Sequence, residues 1–198
     1  ATKERSMQVA LMRAQRSTDV TDTRLLFEIL RLHQKPEDAE MTAPFRSYLA
    51  TDEGIQTLAS PEGQRQLPLL KGRLDFTGLS SIVELANLTP LIESPEVREI
   101  DLSDCKSLKV VPVESVIELQ SLKKLVLQGC PELLFPPKEI AARDGAAVMQ
   151  FLRHKIMDLK GTSLIGKELP LFGAMARHRI VEMDVSDCVK LRSLPLDD

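Results

Sequence analysis

The stretch Ile100-Asp101-Leu102-Ser103-Asp104-Cys105 returns as Met183-Asp184-Val185-Ser186-Asp187-Cys188, and Leu125-Val126-Leu127-Gln128-Gly129-Cys130 stands between them. Each is followed, three places after its cysteine, by a leucine: Leu108, Leu191 and Leu133. Two weaker copies keep the same phase. Leu74-Asp75-Phe76-Thr77-Gly78-Leu79 leads to Ile82, and Met157-Asp158-Leu159-Lys160-Gly161-Thr162 leads to Ile165. With the second residue of each as marker, the copies fall at 75, 101, 126, 158 and 184, in steps of 26, 25, 32 and 26. An internal repeat of this kind decides the fold before any single element is assigned. Within a copy, side chains alternate as in a short strand, so Ile100 and Leu102 face a core while Glu99, Asp101 and Ser103 face outward.

The fuller pattern reads Val97-x-x-Ile100-x-Leu102-x-x-Cys105 and Leu122-x-x-Leu125-x-Leu127-x-x-Cys130, joined by Val111-Pro112-x-x-x-Val116-x-x-Leu119. It resembles the leucine-rich repeat, whose period is about 20–29 residues. The resemblance covers roughly residues 70–198 and implies an α/β solenoid with short parallel strands on a concave face and helices on the convex one. Five parallel strands are expected, centred near residues 75, 101, 126, 158 and 184. The phrase around Leu102–Cys105 is similar to repeats of plant-type intracellular immune receptors. Phe135-Pro136-Pro137-Lys138-Glu139-Ile140, followed by Val148 and Phe151-Leu152, is similar to the helical endings of repeat arrays in multidomain GTPase scaffolds. Two departures stand out: the leucine after each cysteine comes one place late, and the 32-residue step marks an insertion.

Around the strands, Ser81-x-x-Glu84 and Ser115-x-x-Glu118 have capping-box spacing and predict two short helices. Pro112, Pro136, Pro137 and Pro170 mark strand-to-helix turns. In the insertion, 137–155, Ile140, Ala147, Val148 and Phe151 share a helical face, so a longer amphipathic helix is expected, with Asp144-Gly145 as a point where it divides. Residues 1–69 carry no repeat and read as a helical N-terminal cap for the array at 70–198. Met7, Leu11 and Ala14, then Leu25, Leu26, Ile29 and Leu30, fit two amphipathic helices with a turn or cap between them at 18–23. Residues 34–44 read as a polar linker, and short helices follow at 45–50 and 54–59.

Composition bounds the function. Of the 198 residues 43% are hydrophobic but only 4% aromatic, and Trp is absent, which suits aliphatic stacking better than an aromatic-lined ligand pocket. A net charge of −3 leaves no basic excess for a phosphate backbone, so nucleic acid is not expected as a partner. No apolar run approaches the roughly 20 residues of a membrane span. Lys3 to Arg16 is amphipathic and fits a surface helix better than a residual targeting segment. Three cysteines, Cys105, Cys130 and Cys188, argue against a disulfide framework and for an intracellular, cytoplasmic setting, with an organelle still open. A first residue Ala1 and a last repeat ending at Asp198 lead us to expect a fragment of something longer.

Four of the five outward mid-strand positions are acidic: Asp75, Asp101, Asp158 and Asp184, with Val126 as the exception, and Glu99 and Glu182 join them. Strands about 4.8 Å apart would stack these into a ladder, either a docking strip for Lys or Arg of a protein partner or simply a solvated face. The cysteines share one repeat position and read as structural, since no C-x-x-C or His cluster offers a metal site. His33, His154 and His178 lie away from the strands, and no phosphate-binding glycine motif occurs. No catalytic residues, cofactor or metal are expected. Three readings stay open: a protein-binding or scaffold module, a regulatory sensor segment of a multidomain receptor or GTPase, and a substrate-recruiting part of an enzyme such as a ligase complex. The concave sheet offers roughly 250 Å² against the about 800 Å² per partner of a standard interface. The N-terminal helices and the 137–155 helix are therefore expected to supply much of the contact.

Overall fold

The computed structural model describes residues 20–32, 38–154, 156–158, 182–184 and 186–187. The described residues open with four helices: α1 (Val20–Leu32), α2 (Ala39–Leu49), α3 (Asp52–Ala59) and α4 (Pro61–Gln66), followed by a 3-10 turn at Leu67–Leu70. Thr51 and Ser60 start α3 and α4 by accepting the backbone N–H of Gly54 (3.2 Å) and Gly63 (3.0 Å), and Pro61 opens α4 at the first helical position. Two expectations change here. Of the stretch 18–23, expected as a turn or cap, Val20–Thr23 already lie in α1, with Thr23 buried beside Leu26, Phe27 and Leu30. The polar linker at 34–44 gives way to α2 from Ala39 onward, where Thr42 is buried and donates to the Asp38 carbonyl at 3.1 Å. In both places packing of one helix face against the core outweighs a polar, weakly helical composition. The proposed first helix, with Met7, Leu11 and Ala14, lies outside the described residues.

Three strands follow, β1 (Arg73–Asp75), β2 (Glu99–Asp101) and β3 (Lys124–Val126), paired in parallel in that order with Asp75, Asp101 and Val126 side by side. Each strand ends on its marker residue. Leu74, Ile100 and Leu125 point inward, and so do Phe76, Leu102 and Leu127 just beyond the strands; all six are essentially buried. The turn after each strand repeats too. Three residues past the marker the backbone turns left-handed, at Gly78 (φ 72°), Asp104 (φ 59°), Gly129 (φ 74°) and Asp187 (φ 61°). Only glycine, and less readily Asp or Asn, takes that conformation at low cost, which explains the residue choice. On the far side of the core a second ladder ties the same repeats together. Lys109 N–H donates to the Val83 carbonyl (2.7 Å), Leu134 N–H to the Lys109 carbonyl (3.0 Å), and Glu84 bridges Val110 in parallel. The chain is thus mixed α/β around a parallel, unclosed three-stranded sheet.

β4 (Ile156–Asp158) and β5 (Glu182–Asp184) also pair in parallel, with Asp158 beside Asp184, but they form a second sheet. The continuous run of five strands is therefore interrupted between β3 and β4. The insertion is the cause. It forms two helices after α5 (Val113–Glu118): α6 (Lys138–Ala141) and α7 (Gly145–His154). Asp144 divides them, its carboxylate accepting the N–H groups of Ala146 (2.9 Å) and Ala147 (3.1 Å). Val126 accepts at its carbonyl from the N–H of Leu102, just past β2, so strand alternation turns the N–H and C=O of Leu125 to the opposite edge. Gly145 sits against that edge: a Cβ there would lie 3.0 Å from the Leu125 nitrogen and 3.1 Å from its carbonyl oxygen. Val148, Phe151 and Leu152 bury the apolar face of α7. The insertion thus spends its apolar face inside the molecule, covering a sheet edge, rather than presenting it outward.

Of the two short helices expected from capping-box spacing, one forms, α5, although it begins at Val113, ahead of Ser115. Residues 81–84 are not helical, because Val83 and Glu84 are taken up by the second ladder. Ser115 lies inside α5, where its hydroxyl donates to the Pro112 carbonyl (3.1 Å) and accepts from Leu88 N–H (3.1 Å), joining neighbouring repeats instead of capping a helix. Pro112 and Pro137 do precede α5 and α6, as expected of turn prolines; Pro170 lies outside the described residues.

Candidate functional site

The outward face of the three-stranded sheet carries a checkerboard of charge. Residues two apart in a strand share a face, so Arg73 stands with Asp75, Glu99 with Asp101 and Lys124 with Val126. Parallel register sets Arg73, Glu99 and Lys124 in one row and Asp75, Asp101 and Val126 in the next. Arg73 Nη2 meets the Asp101 carboxylate at 2.6 Å and its Nε meets Glu99 at 3.4 Å, while Lys124 reaches Glu99 at 3.9 Å. From the helical region, Arg46 contacts Asp75 at 3.5 Å and donates to the Thr77 carbonyl at 2.8 Å. Three carboxylates thus face three cations of the same chain, and this half of the row is not a free strip for a partner's Lys or Arg. Asp101, expected to be solvated, is buried, and it also accepts from the backbone N–H (2.9 Å) and hydroxyl (2.6 Å) of Ser103. Asp158, Glu182 and Asp184 lie in β4 and β5, with Asp158 and Asp184 again side by side. The cations at 73 and 124 were legible from the same two-residue alternation that revealed the acids. Arg46 was not, because it arrives from a helix distant in sequence.

Asp101→Asn is accordingly expected to cost about 1–3 kcal/mol, since a charge-assisted bond and a buried partner are lost together. Asp75→Asn, at a half-exposed position, should stay within about 0.5 kcal/mol. Equal denaturant midpoints for the two variants would remove the asymmetry.

The cysteines act as backbone clamps. Cys105 Sγ donates to the Phe76 carbonyl and Cys130 Sγ to the Leu102 carbonyl, each at 3.1 Å and each reaching the preceding repeat. Both thiols are free and buried, and burial raises their ionisation, that of Cys105 to about 11. Both therefore stay protonated at neutral pH, and the protonated thiol is a poor nucleophile. Peptide mapping after brief alkylation should find both cysteines unmodified in the native chain and labelled in urea. Fast native labelling of either would contradict the clamp. Cys188, His33 and His178 lie outside the described residues; His154 ends α7, exposed and away from both thiols' repeat turns.

Three large apolar side chains on the second ladder are exposed. Leu134 is 75% exposed, Val83 51% and Val110 39%, and the ladder bonds hold these residues in adjacent repeats. Their neighbours Ile82, Leu85, Leu108, Val111 and Leu133 are buried, so the exposed residues stand on an anchored backbone. Nothing in the strand pattern pointed here, and at Val83 the capping-box spacing of Ser81 and Glu84 pointed to a helix instead.

Among the described residues there is no group of three or more His, Cys, Asp or Glu placed to hold a metal ion, and no helix long and apolar enough to cross a membrane. No family model matches the chain, and no curated protein or solved structure matches it either.

Proposed function

We propose that this chain is a non-catalytic protein-binding module, built as a leucine-rich-repeat solenoid, working inside the cell and belonging to a larger protein or assembly. Support for the solenoid comes from the matching turns at 78, 104, 129 and 187 and from the thiol clamps that join one repeat to the next. The free, buried thiols of Cys105 and Cys130 agree with a reducing compartment.

The observation that carries the binding reading is the exposed apolar patch on the second ladder, with Leu134 at its most prominent point. Exposed apolar residues gathered on neighbouring repeats are the kind of surface that meets another protein. The self-neutralised charges at 73–124 make the concave face secondary, although Asp158, Glu182 and Asp184 remain part of the proposed contact.

The test is a capture experiment with the full chain, its Leu134→Asp variant, and an Asp158→Asn/Glu182→Gln/Asp184→Asn variant. Leu134→Asp should lose the captured proteins, and the charge variant should weaken capture most at low salt, because screening acts over about 8 Å at physiological ionic strength. Unchanged recovery by Leu134→Asp would refute the binding face.

A further inference from the structure

We draw no further inference here: the strongest candidate, the outward face of α1 on which Leu25 and Leu32 are exposed, is an unpartnered apolar helix face, and nothing in the structure shows what covers it.

Discussion

Leu102→Asp is expected to unfold the strand region, whereas Leu134→Asp leaves the melting temperature within a few degrees of the parent. The two substitutions are the same in chemistry and opposite in surroundings. Leu102 is fully buried just after β2, behind a turn whose backbone is bonded to both neighbours: Leu102 N–H donates to the Val126 carbonyl and its own carbonyl accepts the Cys130 thiol. Removing a buried leucine costs about 1.5–3 kcal/mol. Placing an unpaired carboxyl in that space adds several more, whether it stays ionised or takes up a proton to remain neutral. Against a total stability of about 5–15 kcal/mol for a typical domain, that is enough to unfold the region. Leu134 is 75% exposed, so an aspartate there meets water. Similar melting temperatures for the two variants would show that the inward and outward assignments are wrong. The stability of Leu134→Asp also makes it usable as a surface probe.

Gly54→Ala should destabilise the protein by about 3 kcal/mol or more, at or above the usual range for overpacking. Gly54 lies in the first turn of α3, where its N–H is taken by Thr51. A Cβ there would stand 2.0 Å from the Tyr48 carbonyl oxygen and 2.5 Å from the Leu49 Cα, both backbone atoms at the end of α2. No side-chain rotation relieves such a contact, so the elbow between α2 and α3 must open. That elbow also attaches the helical region to the first repeat, through Arg46 to the Thr77 carbonyl, Ser47 to Ser81 (2.9 Å), and Ala86 N–H to the Ala50 carbonyl (3.2 Å). The change should therefore loosen the helical region from the sheet as well as lower stability. At about 2–4 °C per kcal/mol for a chain of this size, the loss reads as about 6 °C or more. Gly78→Ala is the control. Its φ of 72° strains an alanine by about 1–2 kcal/mol, but a Cβ there meets nothing within 4 Å. A smaller loss for Gly54→Ala than for Gly78→Ala would contradict the packing of α2 on α3.

The repeat and its phase were legible because they rest on local rules. A two-residue side-chain period is written directly in Ile100-x-Leu102 and Leu125-x-Leu127, and the left-handed turn demands Gly or Asp, which the sequence supplies at 78, 104, 129 and 187. Those rules determined the three-residue strands, their parallel register and which side chains face the core. The cysteines followed for the same reason, since one position in a periodic chain has one environment.

What only the tertiary structure decided depends on which groups meet across the chain. The acidic row was visible as a pattern, but its neutralisation needed the register that brings Arg73 to Asp101 and the helix that brings Arg46 to Asp75. The break between β3 and β4 needed Gly145 against the Leu125 backbone, a contact set by the absence of a side chain and invisible to any apolar pattern. Ser81 and Glu84 had the spacing of a capping box, yet the ladder from Val83 to Lys109 claimed the backbone first. The patch of Val83, Val110 and Leu134 belonged to no repeat signal, because exposure is a property of packing and not of residue type. Local periodicity therefore determined the strands and the core behind them, while long-range contacts decided which side chains remain exposed.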